Sequence, residues 1–288
     1  MSGFVINQKT GLGSFPELED KFGVRNYVTY SNNVWGNMNP FFADSREVRD
    51  EIAKKDKQIA DLLKTKFVGV MTTPPEGTII QLSERMRWYL NYTAKPDDQG
   101  YKFVPLEANA VVLTAREAEV VFAPRDCAVM LFVHKNWPGV LCLHLGAPQV
   151  IQGLHEHALL FFRGLFPDIN VSEFSVFITP YLCSEHYCLN EERADKYVSC
   201  IPGIDSYFKS VKSDTERNIS FNFMGFVQDD LRKKWGICKY VESGMCTYEE
   251  ASKGNLFSYT LSKEDEVKYP HGAFNVAIGL GDGPGRAC

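Results

Sequence analysis

The chain has 288 residues, of which 44% are hydrophobic and 13% aromatic, enough to bury a large core and to exclude disorder as the general state. A formal charge of -5 excludes a general attraction to nucleic acid or to anionic lipid. No apolar run reaches the roughly 18 residues of a membrane span, and Met1 to Lys9 carry neither a secretory pattern nor an Arg-rich presequence. A cytoplasmic protein is expected, with a mitochondrial location left open.

In chain order, residues 1–25 read as a loose lead-in punctuated by Gly11, Gly13 and Pro16. Asp44 to Lys64 predicts an amphipathic helix: Val48, Ile52, Ile59, Leu62 and Leu63 fall near one face, and Asp44 with Glu47 resembles a capping box. Phe67 to Met71 predicts a buried strand. A turn at Pro74-Pro75-Glu76-Gly77 follows, then a strand from Ile79-Ile80, a loop over Lys95 to Gly100, and short strands at Ala110 to Thr114 and Val120 to Phe122. The strongest apolar block, Cys127 to Val133, is followed by a turn at Asn136-Trp137-Pro138-Gly139 and a second block, Val140 to Leu145, which together predict a hairpin. Gln149 to Leu165 has apolar residues at helical spacing and ends before Pro167. Phe174 to Ile178 predicts a strand, Gly225 to Trp235 a helix, and Ile237 to Val241 and Ala273 to Ile278 strands; Gly281 to Cys288 reads as a tail. Helices and strands alternate irregularly, which predicts a mixed α/β (α+β) fold.

There are eight cysteines, at 127, 142, 183, 188, 200, 238, 246 and 288. A chain of this size needs no disulfide staples, and Cys142 sits in an apolar run, so free thiols in a reducing compartment are expected. Three places could carry chemistry. If the hairpin forms, Cys127, preceded by Asp126, and His144 lie at the same sheet edge. They could ligate zinc or copper, or His144 could activate Cys127 as a nucleophile, or they could merely be core neighbours. Cys183, His186 and Cys188 could bind metal, but their spacing is no usual zinc motif, and a Cys-rich loop after a strand is the plainer reading. His155 and His157 point to different faces of a helix and are expected on the surface, as is the Arg232-Lys233-Lys234 cluster at a helix C-terminus.

Five segments in order resemble a known family. Ala123 to Phe132 resembles its A-D-C-x-P-V-L-L strand, and Val140 to Gly153 resembles V-A-x-x-H-A-G-W-R-G-x-x-x-G. Thr179 to Tyr187 resembles G-P-C-I-G-P-C-C-Y. Gly244-Met245-Cys246-Thr247 followed by Leu256-Phe257-Ser258-Tyr259 resembles G-x-C-T and F-F-S-Y-R, and Gly272 to Ile278 resembles the closing G-R-M-A-x-x-I strand. The family is that of the YfiH-type laccase-domain proteins, once called polyphenol oxidases and known as purine nucleoside phosphorylases and adenosine deaminases. The resemblance runs from about Gly23 to Leu280. It implies a single domain of mixed sheets flanked by helices over 25–280, between an N-terminal extension at 1–24 and a flexible tail at 281–288. It further implies a zinc or copper site at Cys127, His144 and Glu76, with Glu76 standing where the family has its first histidine. Asp126 would support the metal or act as an acid/base group, and Tyr187 and Tyr259 would contact a purine nucleoside.

Several family cations are missing: Ala147 and Pro148 replace Trp and Arg, Thr260 replaces the Arg after F-S-Y, and Ala273 replaces the closing Arg. Phosphorolysis needs an anion site, which Arg builds best, so hydrolysis or deamination is expected over phosphorolysis. A second expectation is a pseudoenzyme without metal, kept as a binding or structural subunit of an assembly. A third, from fold analogy alone, is a Cys/His hydrolase or deamidase.

Overall fold

The computed structural model describes residues 3–30, 32–38, 46–72, 74, 77–212 and 217–281. Along the chain run β1 (Val5–Asn7), β2 (Leu12–Ser14), α1 (Pro16–Phe22), β3 (Val24–Thr29), α2 (Asn32–Trp35), α3 (Arg46–Leu63), β4 (Phe67–Thr72), β5 (Ile79–Leu82), α4 (Glu84–Thr93), β6 (Lys102–Glu107), β7 (Ala110–Leu113) and β8 (Ala118–Phe122). Then come β9 (Ala128–His134), β10 (Trp137–Leu145), α5 (Ala147–Ile151), α6 (Leu154–Leu165), β11 (Ser175–Ile178), β12 (Cys188–Leu189), α7 (Glu191–Cys200), β13 (Phe208–Ser210), β14 (Ile219–Phe221), α8 (Phe223–Trp235), β15 (Lys239–Glu242), α9 (Thr247–Ser252), α10 (Tyr259–Glu264) and β16 (Val276–Leu280).

Two mixed sheets pack face to face. One has the order β1-β2-β3-β16-β8-β4-β6, the other β15-β11-β9-β10-β7-β5, and a small sheet β12-β14-β13 sits beside them. Strand alternation builds the layers. On β8, Val120 and Phe122 point between the sheets, where Val129, Leu131 and Val133 of β9 meet them; Val121 points the other way, toward Ile59 and Leu63 of α3. Met130 and Phe132 on the opposite face of β9 pack with Ala158 and Phe162 of α6 and Val227 and Leu231 of α8. The result is helix, sheet, sheet, helix: a mixed α/β single domain, as expected.

The predicted hairpin forms. β9 and β10 pair antiparallel, with His144 opposite Val129 and Leu145 opposite Ala128, and with a register shift between Trp137 and Leu141. Trp137 already belongs to β10, so the connection is shorter than the four-residue turn read from sequence.

Several expectations need correction. The described part of the expected loose lead-in, residues 3–25, is ordered into elements: β1 and β2 extend the larger sheet and α1 packs on it, held by paired backbone hydrogen bonds and by Leu18, which is fully buried. The helix expected over 149–165 is two helices, α5 and α6, because Gly153 takes a left-handed φ of 69° at the junction. His155 is buried rather than solvated, and its Nε2 lies 3.0 Å from Asp230 Oδ2 of α8. On α3, Ile52, Ile59 and Leu63 are buried but Leu62 is exposed. Asp44, Glu76, the side chain of Val48 and residues 282–288 lie outside the described residues.

A buried acidic pair lies between α3 and the larger sheet. Asp56 of α3 accepts a 2.7 Å hydrogen bond from Asn275 Nδ2, and burial pushes its carboxyl up to about 7. Glu119 of β8 is wholly buried, and both its carboxylate oxygens lack a hydrogen-bond partner among the described residues. Burial first, and then the charge of Asp56, hold Glu119 well above the usual carboxylate range.

Candidate active site

The cavity of interest opens where β9 begins and β10 ends. Cys127 immediately precedes β9, and Gly146 follows β10 and caps α5; its N–H donates to Gln149 Oε1 at 3.2 Å. The two residues touch so closely that a Cβ on Gly146 would stand 2.8 Å from Cys127 Sγ. The space in front of Cys127 has a volume of about 190 Å³. Its walls come from segments scattered along the chain: Asp126 and Cys127, Gly146 to Pro148, His186 to Cys188, Arg193, Arg217, Phe223, and Tyr259, Thr260 and Lys263.

Asp126, Cys127, Tyr187 and Tyr259, all singled out from sequence, therefore line one cavity. Asp126 is occupied in holding it together. Its carboxylate accepts from Thr247 Oγ1 at 2.9 Å, Thr260 N at 2.8 Å and Thr260 Oγ1 at 2.7 Å, which ties the start of β9 to α9 and α10. Thr260, standing where the family has Arg, thus serves Asp126. Tyr259 offers a ring with the Arg125 guanidinium 4.5 Å and the Lys263 ammonium 5.0 Å from its centroid. Tyr187 packs edge-on against Phe223 at 5.6 Å, and burial holds its hydroxyl well above the usual tyrosine range.

His144 is 9% exposed and stands apart from the cavity lining, stacked on Phe122 at 6.3 Å. Strand alternation puts it on the same sheet face as Val129 and, one step beyond the strand, Cys127. Burial draws its imidazole down to about 4 and pushes the Cys127 thiol up to about 12, the charge of Asp126 adding to the latter. The pair is thus a neutral imidazole and a protonated thiol, not the ion pair of an activated cysteine nucleophile. His144 Nδ1 is buried with no hydrogen-bond partner among the described residues. A neutral buried imidazole with an unused nitrogen, on the same sheet face as a thiol, is of the donor types that suit zinc or copper; the third donor expected, Glu76, lies outside the described residues.

Sequence reasoning missed much of the cavity. Arg193, Arg217 and Lys263 place three cationic side chains on its walls. They lie outside the family motifs, and only the fold gathers them. Arg193 Nε also donates to Tyr197 OH at 3.0 Å, which fixes its guanidinium. A second group was half visible. Cys183, His186, Cys246 and Glu249 bring their donor atoms within 4.8 Å of one another, and the repeated three-residue spacing of Cys183 to His186 and Cys246 to Glu249 was the available signal. Within this thiol pair the hydrogen bond from Cys183, and then nearby backbone N–H groups, draw the Cys246 thiol down. A third group, His155, Glu156 and Asp230, already has its cation: Lys234 Nζ is 2.6 Å from Glu156 and 2.9 Å from Asp230.

With this geometry in place, comparison with known proteins decides the family. Residues 30–278 match the family model described as multi-copper polyphenol oxidoreductase laccase. The chain belongs to this family. Solved structures similar to it include YlmD from Geobacillus stearothermophilus (TM-score 0.73, 14% identity, covering 98% of this chain and 100% of that one) and the Bacillus licheniformis hypothetical protein YfiH (0.72, 16%, 96% and 98%). The Neisseria meningitidis protein NMB0706 is also similar (0.69, 14%, 97% and 100%). No curated protein matches the sequence. The family description names copper, and Cys, His and Glu groups of this chain could hold a metal. No described helix is long and apolar enough to cross a membrane.

Proposed function

We propose that the protein binds a purine nucleoside in the cavity before Cys127 and cleaves it by phosphorolysis. One observation carries this reading: Arg193, Arg217 and Lys263 line the cavity together with the rings of Tyr187, Phe223 and Tyr259. Flat rings suit a purine, and a cluster of cations suits phosphate. The cations expected from the family motifs are missing, but these three stand in the same cavity, which favours phosphorolysis over the hydrolysis or deamination expected from sequence.

In the proposed step an oxygen of hydrogen phosphate forms a bond to ribose C1′ while the bond from C1′ to the purine nitrogen breaks. The bonding electron pair leaves with the purine, and the proton given up by phosphate balances the one the purine gains. Arg193, Arg217 and Lys263 hold the phosphate and offset its charge, and the aromatic walls orient the base and exclude water. Asp126 positions the wall through Thr247 and Thr260. Cys127 and His144 would hold a metal, which would supply Lewis acidity when bound.

The test is incubation of adenosine and inosine with and without phosphate, with chromatography of the products. Phosphate-dependent release of base and ribose 1-phosphate is expected. Lys263→Ala should raise KM for phosphate or lower turnover roughly 10- to 100-fold, the worth of one charged hydrogen bond. Base released without phosphate, or ammonia released from adenosine, would replace phosphorolysis by the other chemistries. Absence of both conversion and nucleoside binding would favour the pseudoenzyme reading.

A further inference from the structure

We propose that Cys183, His186, Cys246 and Glu249 form a zinc site of their own, separate from Cys127 and His144, which locks two loops of the cavity wall together. The loops are already pinned by backbone. Tyr181 N–H donates to Met245 O at 3.3 Å, Thr247 N–H donates to Tyr181 O at 3.1 Å, and Tyr181 pairs with Cys246 as a parallel bridge. Each loop presents two donors three residues apart. Cys183 and His186 share a tight turn closed by the His186 N–H on Cys183 O at 3.1 Å; Cys246 caps α9 and Glu249 lies in its first turn.

The distances match the ion. Zinc sits about 2.3 Å from sulfur and about 2.0–2.1 Å from imidazole nitrogen, so tetrahedral geometry puts sulfur and nitrogen about 3.6 Å apart. His186 Nδ1 lies 3.5 Å from Cys246 Sγ and 3.2 Å from Cys183 Sγ. The two distances thus bracket the sulfur–nitrogen edge of a zinc tetrahedron, and all four donor atoms lie within 4.8 Å of one another. The His186 ring is held for this by Tyr248, which stacks on it at 4.2 Å and 15°. Both thiols are free. Two sulfurs, a nitrogen and a carboxylate oxygen suit zinc better than copper(I), which favours softer sets, or magnesium, which favours oxygen alone.

Four protein ligands make a closed, structural site. His186 and its neighbours Tyr187 and Cys188 line the cavity, so the ion would fix the wall that carries Tyr187 without entering the chemistry.

The experiment titrates reduced, metal-free protein with cobalt(II), then displaces it with zinc, and follows thiolate-to-cobalt charge-transfer and tetrahedral d–d absorption. We expect one equivalent whose bands survive in Cys127→Ala and are lost in Cys183→Ser and in Cys246→Ser; an equivalent held at Cys127 and His144 is told apart by its loss in Cys127→Ala and its survival in both serine variants. Cys183→His, which restores a zinc-competent donor, should keep the binding and guards against misfolding of the serine variants. Zinc should raise the melting temperature of wild type and of Cys127→Ala alike. Bands that disappear in Cys127→Ala but survive in both serine variants would overturn the proposal, as would their absence from reduced wild type. The readout is spectroscopic, so failure of the nucleoside assay leaves it standing.

Discussion

Replacing Asp56 with Asn tests the buried acidic pair. In wild type the Asp56 carboxyl stands at about 7 in the folded protein and about 3.9 in an unfolded chain. The folded state therefore holds the proton more tightly than the unfolded one. Its contribution to stability is fully present below about pH 4 and is lost as pH rises through about 7. A gap of about three pH units corresponds to about 4 kcal/mol in all, at 1.36 kcal/mol per unit, and about half of it, about 2 kcal/mol, falls between about pH 5.5 and about pH 8. Glu119, raised as well, adds in the same direction. Asn at 56 keeps an oxygen to accept from Asn275 Nδ2 and cannot ionise. Urea unfolding followed by tryptophan fluorescence, at about pH 5.5 and about pH 8, should show wild type losing about 2 kcal/mol more than Asp56→Asn across that range. Parallel pH dependence in the two proteins, or a wild type that gains on the variant as pH rises, would refute the reasoning.

Two further outcomes follow from the cavity floor. Gly146→Ala puts a methyl 2.8 Å from Cys127 Sγ and 3.0 Å from Gln149 Oε1, so it should cost about 1–3 kcal/mol by overpacking and weaken nucleoside binding; an unchanged urea midpoint would show that the thiol can step aside. With its thiol held at about 12, Cys127 should label slowly in native protein at about pH 8, after the exposed Cys200 and Cys238. Mass mapping that finds Cys127 among the first labelled sites would contradict the environment described.

The sequence was legible where the signal is local. Two continuous apolar blocks either side of a turn in 127–145 carried the β9–β10 hairpin, and helical spacing carried α3 and α8. Ordered motifs placed Asp126, Cys127, Tyr187 and Tyr259 at what proves to be one cavity. Partners supplied from a distance were not legible. His155 looks like a surface residue until α8 brings Asp230 against it, 75 positions away. Cys246 is 60 positions from His186, and only the shared three-residue spacing of donors hints that the two segments meet. The three cavity cations belong to separate segments of different composition. The break at Gly153 was visible only as a glycine inside a good helical pattern, where the period outweighs the single residue.

The placement of β16 bears on how the chain is made. It lies inside the larger sheet, bonded to β3 on one side and β8 on the other. Until residues 276–280 leave the ribosome, β3 and β8 each offer a bare edge to any passing strand, and the β1-β2-β3 and β8-β4-β6 halves of the sheet cannot join. A nascent chain stalled before that point should be a client for chaperones and prone to self-association. The pairing of β3 with β16, across some 250 residues of chain, makes folding slow relative to a helical protein of equal length.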